Sequence, residues 1–88
     1  MKVYQVTMDN NSNHPLYFTN RQKCMFFIRV DMGHDPIRAI IYKDKWLNDE
    51  ELATAIEGKW KAKTITFFGK GGGGYYFDKY IVNEIEVN

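Results

Sequence analysis

Residues 2–8 alternate loosely between polar and apolar side chains, and Val3, Tyr4, Val6 and Thr7 are strand formers, so a first strand is predicted there. The polar stretch Asp9-Asn10-Asn11-Ser12-Asn13-His14-Pro15 predicts a turn or loop. Leu16-Tyr17-Phe18 is a short extended piece. It leads into Thr19-Asn20-Arg21-Gln22, which has the spacing of a capping box with Thr19 as N-cap and Gln22 reaching back. The next segment fits two periods. Cys24, Met25, Ile28 and Met32 make a helical face, whereas Phe26, Ile28 and Val30 suit one face of a strand. The Thr19 cap and a stop at Gly33 favour the helix.

His34-Asp35-Pro36 predicts a turn. Ile37 to Tyr42 reads as a buried strand with Ile37, Ala39 and Ile41 on one face, broken by Lys43-Asp44-Lys45. The clearest helix start is Asn48. Asn48 and Glu51 have capping-box spacing, and Leu47 and Leu52 stand at the positions of a hydrophobic staple. Asp49, Glu50 and Glu51 put negative charge at the positive end of the helix dipole. Leu52, Ala55 and Ile56 form the core face, and Gly58 is a natural residue just past the end.

Thr64 to Phe68 predicts a strand, Gly69 to Gly74 a glycine-rich loop, and Tyr75 to Val87 a long strand closing a hairpin. In that last strand Phe77, Ile81, Ile85 and Val87 share one face, and Tyr76, Tyr80, Glu84 and Glu86 the other. The order β-α-β-α-β-β predicts an α+β fold: a mostly antiparallel sheet of about four strands with two short helices on one face. The piece at 16–18 is a candidate edge strand.

Composition narrows the class. The chain has 88 residues, 44% hydrophobic and 16% aromatic, with 12 Lys+Arg against 11 Asp+Glu. That is one globular domain over 1–88, too apolar and too nearly neutral for a disordered tail. One cysteine excludes a disulfide scaffold. The longest apolar run, Cys24 to Ile28, is five residues, against the ~20 that a membrane helix needs. The opening Met1-Lys2-Val3-Tyr4-Gln5-Val6 lacks the apolar region of a signal peptide, so a cytoplasmic protein with a reduced Cys24 is expected.

Charge and rings are unevenly spread. Seven of the rings fall between Trp60 and Tyr80, and five lysines but only one acid lie between Lys59 and Lys79. Lysines attract phosphate and rings stack on bases, so this hairpin is a candidate nucleic-acid surface. The other reading of the same rings is core and cross-strand pairing. The glycine run departs from a Walker loop, because Lys70 comes second in it and not after the last glycine, and a strand follows. It reads as a hairpin tip, or as a tip that orders on a partner.

No cofactor is implied. His14, Cys24, Asp31, His34 and Asp35 carry no recognised metal-ligand spacing. Cys24 lies on the expected core face, where a thiol behaves as a small hydrophobe. Glu84 and Glu86 are expected to be solvated on an outer strand face. No catalytic set emerges, and a non-enzymatic protein is expected. Tyr and Trp are enriched at interface hot spots, so protein binding is the favoured class. Lys61, Lys63, Lys70, Tyr75, Tyr76 and Tyr80 are the candidate contact residues. The C-terminal strand is a candidate edge for pairing with a second copy.

Met1-Lys2-Val3-Tyr4-Gln5-Val6-Thr7, the Tyr17-Phe18-Thr19 entry to a helix, and the closing Tyr80-Ile81-Val82-Asn83-Glu84-Ile85-Glu86-Val87 resemble small proteins of tailed phages and related mobile elements. The resemblance covers about a third of the chain and implies no site residues. Members with a known role are often small inhibitors of host enzymes or bacterial defence systems. It therefore implies an inhibitor of a host or antiviral-defence protein, acting in the host cytoplasm.

Overall fold

A computed structural model describes residues 1–8, 14–32, 37–41, 45–70 and 77–87; at 37, 70, 77 and 78 it describes the backbone alone. The elements in chain order are β1 (Lys2–Met8), β2 (Leu16–Phe18), α1 (Arg21–Met32), β3 (Ile37–Ile41), β4 (Lys45–Trp46), α2 (Asp49–Ile56), β5 (Thr64–Lys70) and β6 (Phe77–Glu86). Among the described residues the fold is α+β, with two helices and one antiparallel sheet. The sheet has six strands in the order β2-β1-β6-β5-β3-β4, rather than about four. The piece at 16–18 does join as an edge, with Tyr4 opposite Phe18. The added strand at the other edge is β4, where Trp46 pairs with Ile40 and Lys45 with Ile41. Two residues have no period of their own, so only pairing with β3 makes them a strand.

The register sorts the strands into two faces. Tyr4 and Val6 of β1, Ile65 and Phe67 of β5, Tyr80 and Val82 of β6 and Ala39 of β3 share the inner face and are all buried. This corrects one expectation. The core face of β6 is the one carrying Tyr80 and Val82; Ile81 and Ile85 lie on the other face, half-exposed. The aromatic pair Trp60 and Phe67, 5.7 Å between centroids and near edge-on, fills the centre of the core.

The segment with two periods is a helix. α1 buries Cys24, Met25, Ile28 and Met32, the stripe that the helical spacing marks out. Its cap is shifted by one residue from the expected Thr19: Lys23 N–H donates to Asn20 Oδ1 at 2.8 Å, and Cys24 N–H to the Asn20 carbonyl at 3.3 Å. Gln22 does not reach back; its Nε2 donates to the Gly58 carbonyl at 3.4 Å. Met32 lies against Gly69 of β5, where an added Cβ would meet its Sδ at 2.7 Å. A side chain at position 69 would have to displace the flexible end of Met32.

α2 follows its local chemistry at both ends. Glu51 N–H donates to Asn48 Oδ1 at 2.8 Å and Asn48 N–H to Glu51 Oε1 at 3.2 Å, a complete capping box. At the other end Gly58 has φ +78°, its N–H donates to the Ala55 carbonyl at 2.9 Å, and Lys59 N–H to the Thr54 carbonyl at 3.1 Å. Those two bonds are the Schellman pattern. The connection after it alternates, with Trp60 and Ala62 buried and Lys59, Lys61 and Lys63 exposed.

Candidate functional site

Of the expected contact residues, only Lys61, Lys63 and Tyr80 have side chains within the described residues, and Tyr80 does not join the two lysines at the surface. Lys61 and Lys63 are exposed just before β5, whereas Lys70 ends that strand, about 20 Å away along the chain direction. The Lys70 side chain, Tyr75, Tyr76 and the glycines at 71–74 lie outside the described residues. Tyr80 is 2% exposed. Its ring packs in the core and its hydroxyl donates to Asp31 Oδ2 at 2.5 Å, so in this fold Tyr80 is a core residue and not a surface contact. The C-terminal strand is not an edge either. β6 pairs with β5 through 77–83 and with β1 through 80–86, which leaves strand addition to β2 and β4.

The candidate metal ligands are only partly described. His14 is exposed, and His34 and Asp35 lie outside the described residues. No three of the described His, Cys, Asp and Glu residues are placed to hold a metal ion. Cys24 is fully buried. Burial pushes its thiol up to about 12, against a smaller downward pull from the Arg21 charge, so it stays protonated at neutral pH and is a poor nucleophile.

Glu84 was expected to be solvated and is not: its side chain is only 10% exposed. It sits on the inner face of β6 at the end of the core, where Oε1 lies 3.1 Å from Lys2 Nζ and 3.7 Å from Arg21 Nη2. The Arg21 guanidinium lies over Tyr4, 4.9 Å from the ring centroid, and against Trp60 at 5.6 Å. Arg21 Nε has no hydrogen-bond partner among the described residues. The Glu84 carboxylate also raises the Lys2 pKa, by hydrogen bonding first and charge second. Glu86 is exposed, as expected, beside the N-terminal ammonium at 3.4 Å.

The most exposed apolar side chains on the helical layer are Phe26 and Val30 of α1, at 73% and 67%. At 3.6 residues per turn they fall one turn apart, on the side of the helix opposite the Cys24–Met32 stripe. A shallow cleft lies on each side of this ridge. One is floored by Phe18 and Phe27, whose rings are 5.5 Å apart, and rimmed by Lys23. The other is bordered by Met25, Ile56, Arg29 and Glu57. The signal for this ridge was present in the sequence: Phe26 and Val30 are the residues that made the segment look equally like a strand. They are apolar where an amphipathic helix would be polar.

No protein-family model, curated protein or solved structure matches this chain. No helix is long and apolar enough to cross a membrane among the described residues.

Proposed function

We propose that this chain is a small binding protein without catalysis of its own, which acts by covering and blocking a surface of another protein. The observation that carries this reading is the Phe26–Val30 ridge. Two large apolar side chains, one turn apart and unused by the core, are the pattern of helix-in-groove recognition. Lys23, Arg29 and Glu57 are exposed beside the ridge, so the complementary groove is apolar with a charged rim of mixed sign. The sequence resemblance to small phage proteins supports a host or antiviral-defence protein as the target. The buried, protonated Cys24 is not available as a nucleophile.

The test is a Phe26→Ser, Val30→Ser double variant beside the parent chain. Both positions lie outside the core, so the stability of the variant in urea should stay within about 0.5 kcal/mol of the parent. A protein captured from bacterial lysate by the parent, identified by mass spectrometry and then purified, should bind the variant at least about tenfold more weakly. Equal binding by the two, or recovery of nucleic acid with no protein, overturns the reading.

A further inference from the structure

The face of the sheet that the helices leave uncovered has a different chemistry from the α1 ridge. The register places Arg38, Phe68 and Lys79 directly opposite one another on β3, β5 and β6. The next row carries Trp46, Ile40, Thr66, Ile81 and Thr7 across five strands. Trp46 is 51% exposed, and its ring lies 5.4 Å from that of Phe68, tilted by 50°. An aromatic platform is therefore flanked by two cations about 10 Å apart, two strand spacings. Neither Arg38 nor Lys79 forms an ion pair among the described residues. No strand position in these two rows carries a carboxylate; Asp49 of α2 lines a shallow cleft with Arg38 and Trp46 at the β4 edge.

We propose that this uncovered sheet face binds single-stranded nucleic acid, with Trp46 and Phe68 stacking on bases and Arg38 and Lys79 meeting phosphates. Charge complementarity selects this occupant. Protein interfaces are enriched in arginine but depleted of lysine at their centres, whereas here Lys79 stands directly beside the central ring. Rings interleaved with cations are what a single strand needs, since every base has a stacking face and every nucleotide a phosphate. The surface goes beyond the protein-binding reading, which uses the side of α1 turned away from the core. It also moves the basic-aromatic expectation away from Lys61, Lys63 and Tyr80, while keeping Lys79 and Phe68 of that hairpin.

The experiment is fluorescence anisotropy of fluorescein-labelled oligo-dT and oligo-U with the whole chain at low salt. Saturable binding of either strand is expected, at least about tenfold tighter than a duplex of the same length, whose bases cannot stack on the platform. The slope of log K against log salt should be about −1.4, for two phosphate contacts on a single strand. Trp46→Ala and the Arg38→Glu, Lys79→Glu double variant should each bind about tenfold or more weakly. Phe26→Ser, Val30→Ser should bind as the parent does, which separates this surface from the α1 ridge. Trp60 is 6% exposed, so quenching of the tryptophan emission by oligo-dT reads Trp46 in the unmodified protein and needs no variant to fold. Failure of both strands to bind at low salt overturns the proposal. So does undiminished binding by the double variant, or a concentration-dependent dimer that Trp46→Ala abolishes in a chain that binds no oligonucleotide.

Discussion

At the scale of single residues, the Cys24 thiol shows how burial decides chemistry. Its pKa is raised to about 12 from 9.0, so the folded chain keeps a proton that the unfolded chain releases. Stability linked to this group is therefore complete below pH 9 and falls as pH rises from there toward 12. Lys2, raised by Glu84, changes stability in the same direction at alkaline pH, since its bound proton favours the fold. Thiol titration with a disulfide reagent at neutral pH should find Cys24 nearly unreactive in the native protein and fully reactive in denaturant. Urea midpoints should decline above pH 9. Fast native labelling would place the thiol outside the core. Cys24 was legible from sequence because its helical spacing with Met25, Ile28 and Met32 puts four apolar residues on one stripe. Tyr80 was not: a tyrosine on a strand reads equally well as surface or core until its hydroxyl finds a partner, here Asp31, 49 positions away.

At the scale of elements, local cap chemistry was readable and pairing was not. The Asn48–Glu51 box and the Gly58 stop are short-range devices, complete within their own few residues. β4 exists only because β3 pairs with it, and the inner face of β6 is chosen by what packs on it, since Ile81 and Ile85 look as suited to a core as Tyr80 and Val82. The α1 cap slipped by one residue because Thr19 and Asn20 are both good caps and Gln22 made the wrong one look reciprocal. The two ends of α2 should differ in cost. Asn48→Ala removes one cap bond and should cost about 1 kcal/mol. Gly58→Ala forces a side chain to φ +78° and brings its Cβ to 3.0 Å from the Gln22 backbone nitrogen in α1. The first effect alone is worth about 1–2 kcal/mol, and the backbone contact cannot move aside as a side chain would. Urea denaturation should therefore find Gly58→Ala the more damaging. The reverse order would mean that α1 shifts freely at its first turn.

At the scale of the whole molecule, the Glu84 carboxylate joins parts that no local pattern connects. Position 2 begins β1, position 21 begins α1 and position 84 lies near the end of β6, yet Lys2 and Arg21 converge on one oxygen of Glu84. The acidic-apolar alternation of the last strand suggested two solvated glutamates, and only the packing of α1 across the sheet separates them. Arg21 is 24% exposed and is held on two aromatic faces, and its Nε has no partner among the described residues. Removing the charge of Glu84 would leave that guanidinium beside the core without its counterion. A fully buried pair broken this way costs about 3–5 kcal/mol, and a solvated pair about 0–1 kcal/mol. The partial exposure of Arg21 places Glu84→Gln between these limits, at about 1–2 kcal/mol. Glu57→Gln breaks the Lys59 pair, whose partners are 66% and 63% exposed, and should fall within about 0.5 kcal/mol of the parent. Added salt should narrow the small Glu57 difference and leave most of the Glu84 difference in place, because screening acts weakly on a pair shielded by Tyr4 and Trp60. Equal losses for the two variants in urea, or a Glu84 effect that salt erases, would show the carboxylate to be a surface charge and not the link between helix and sheet.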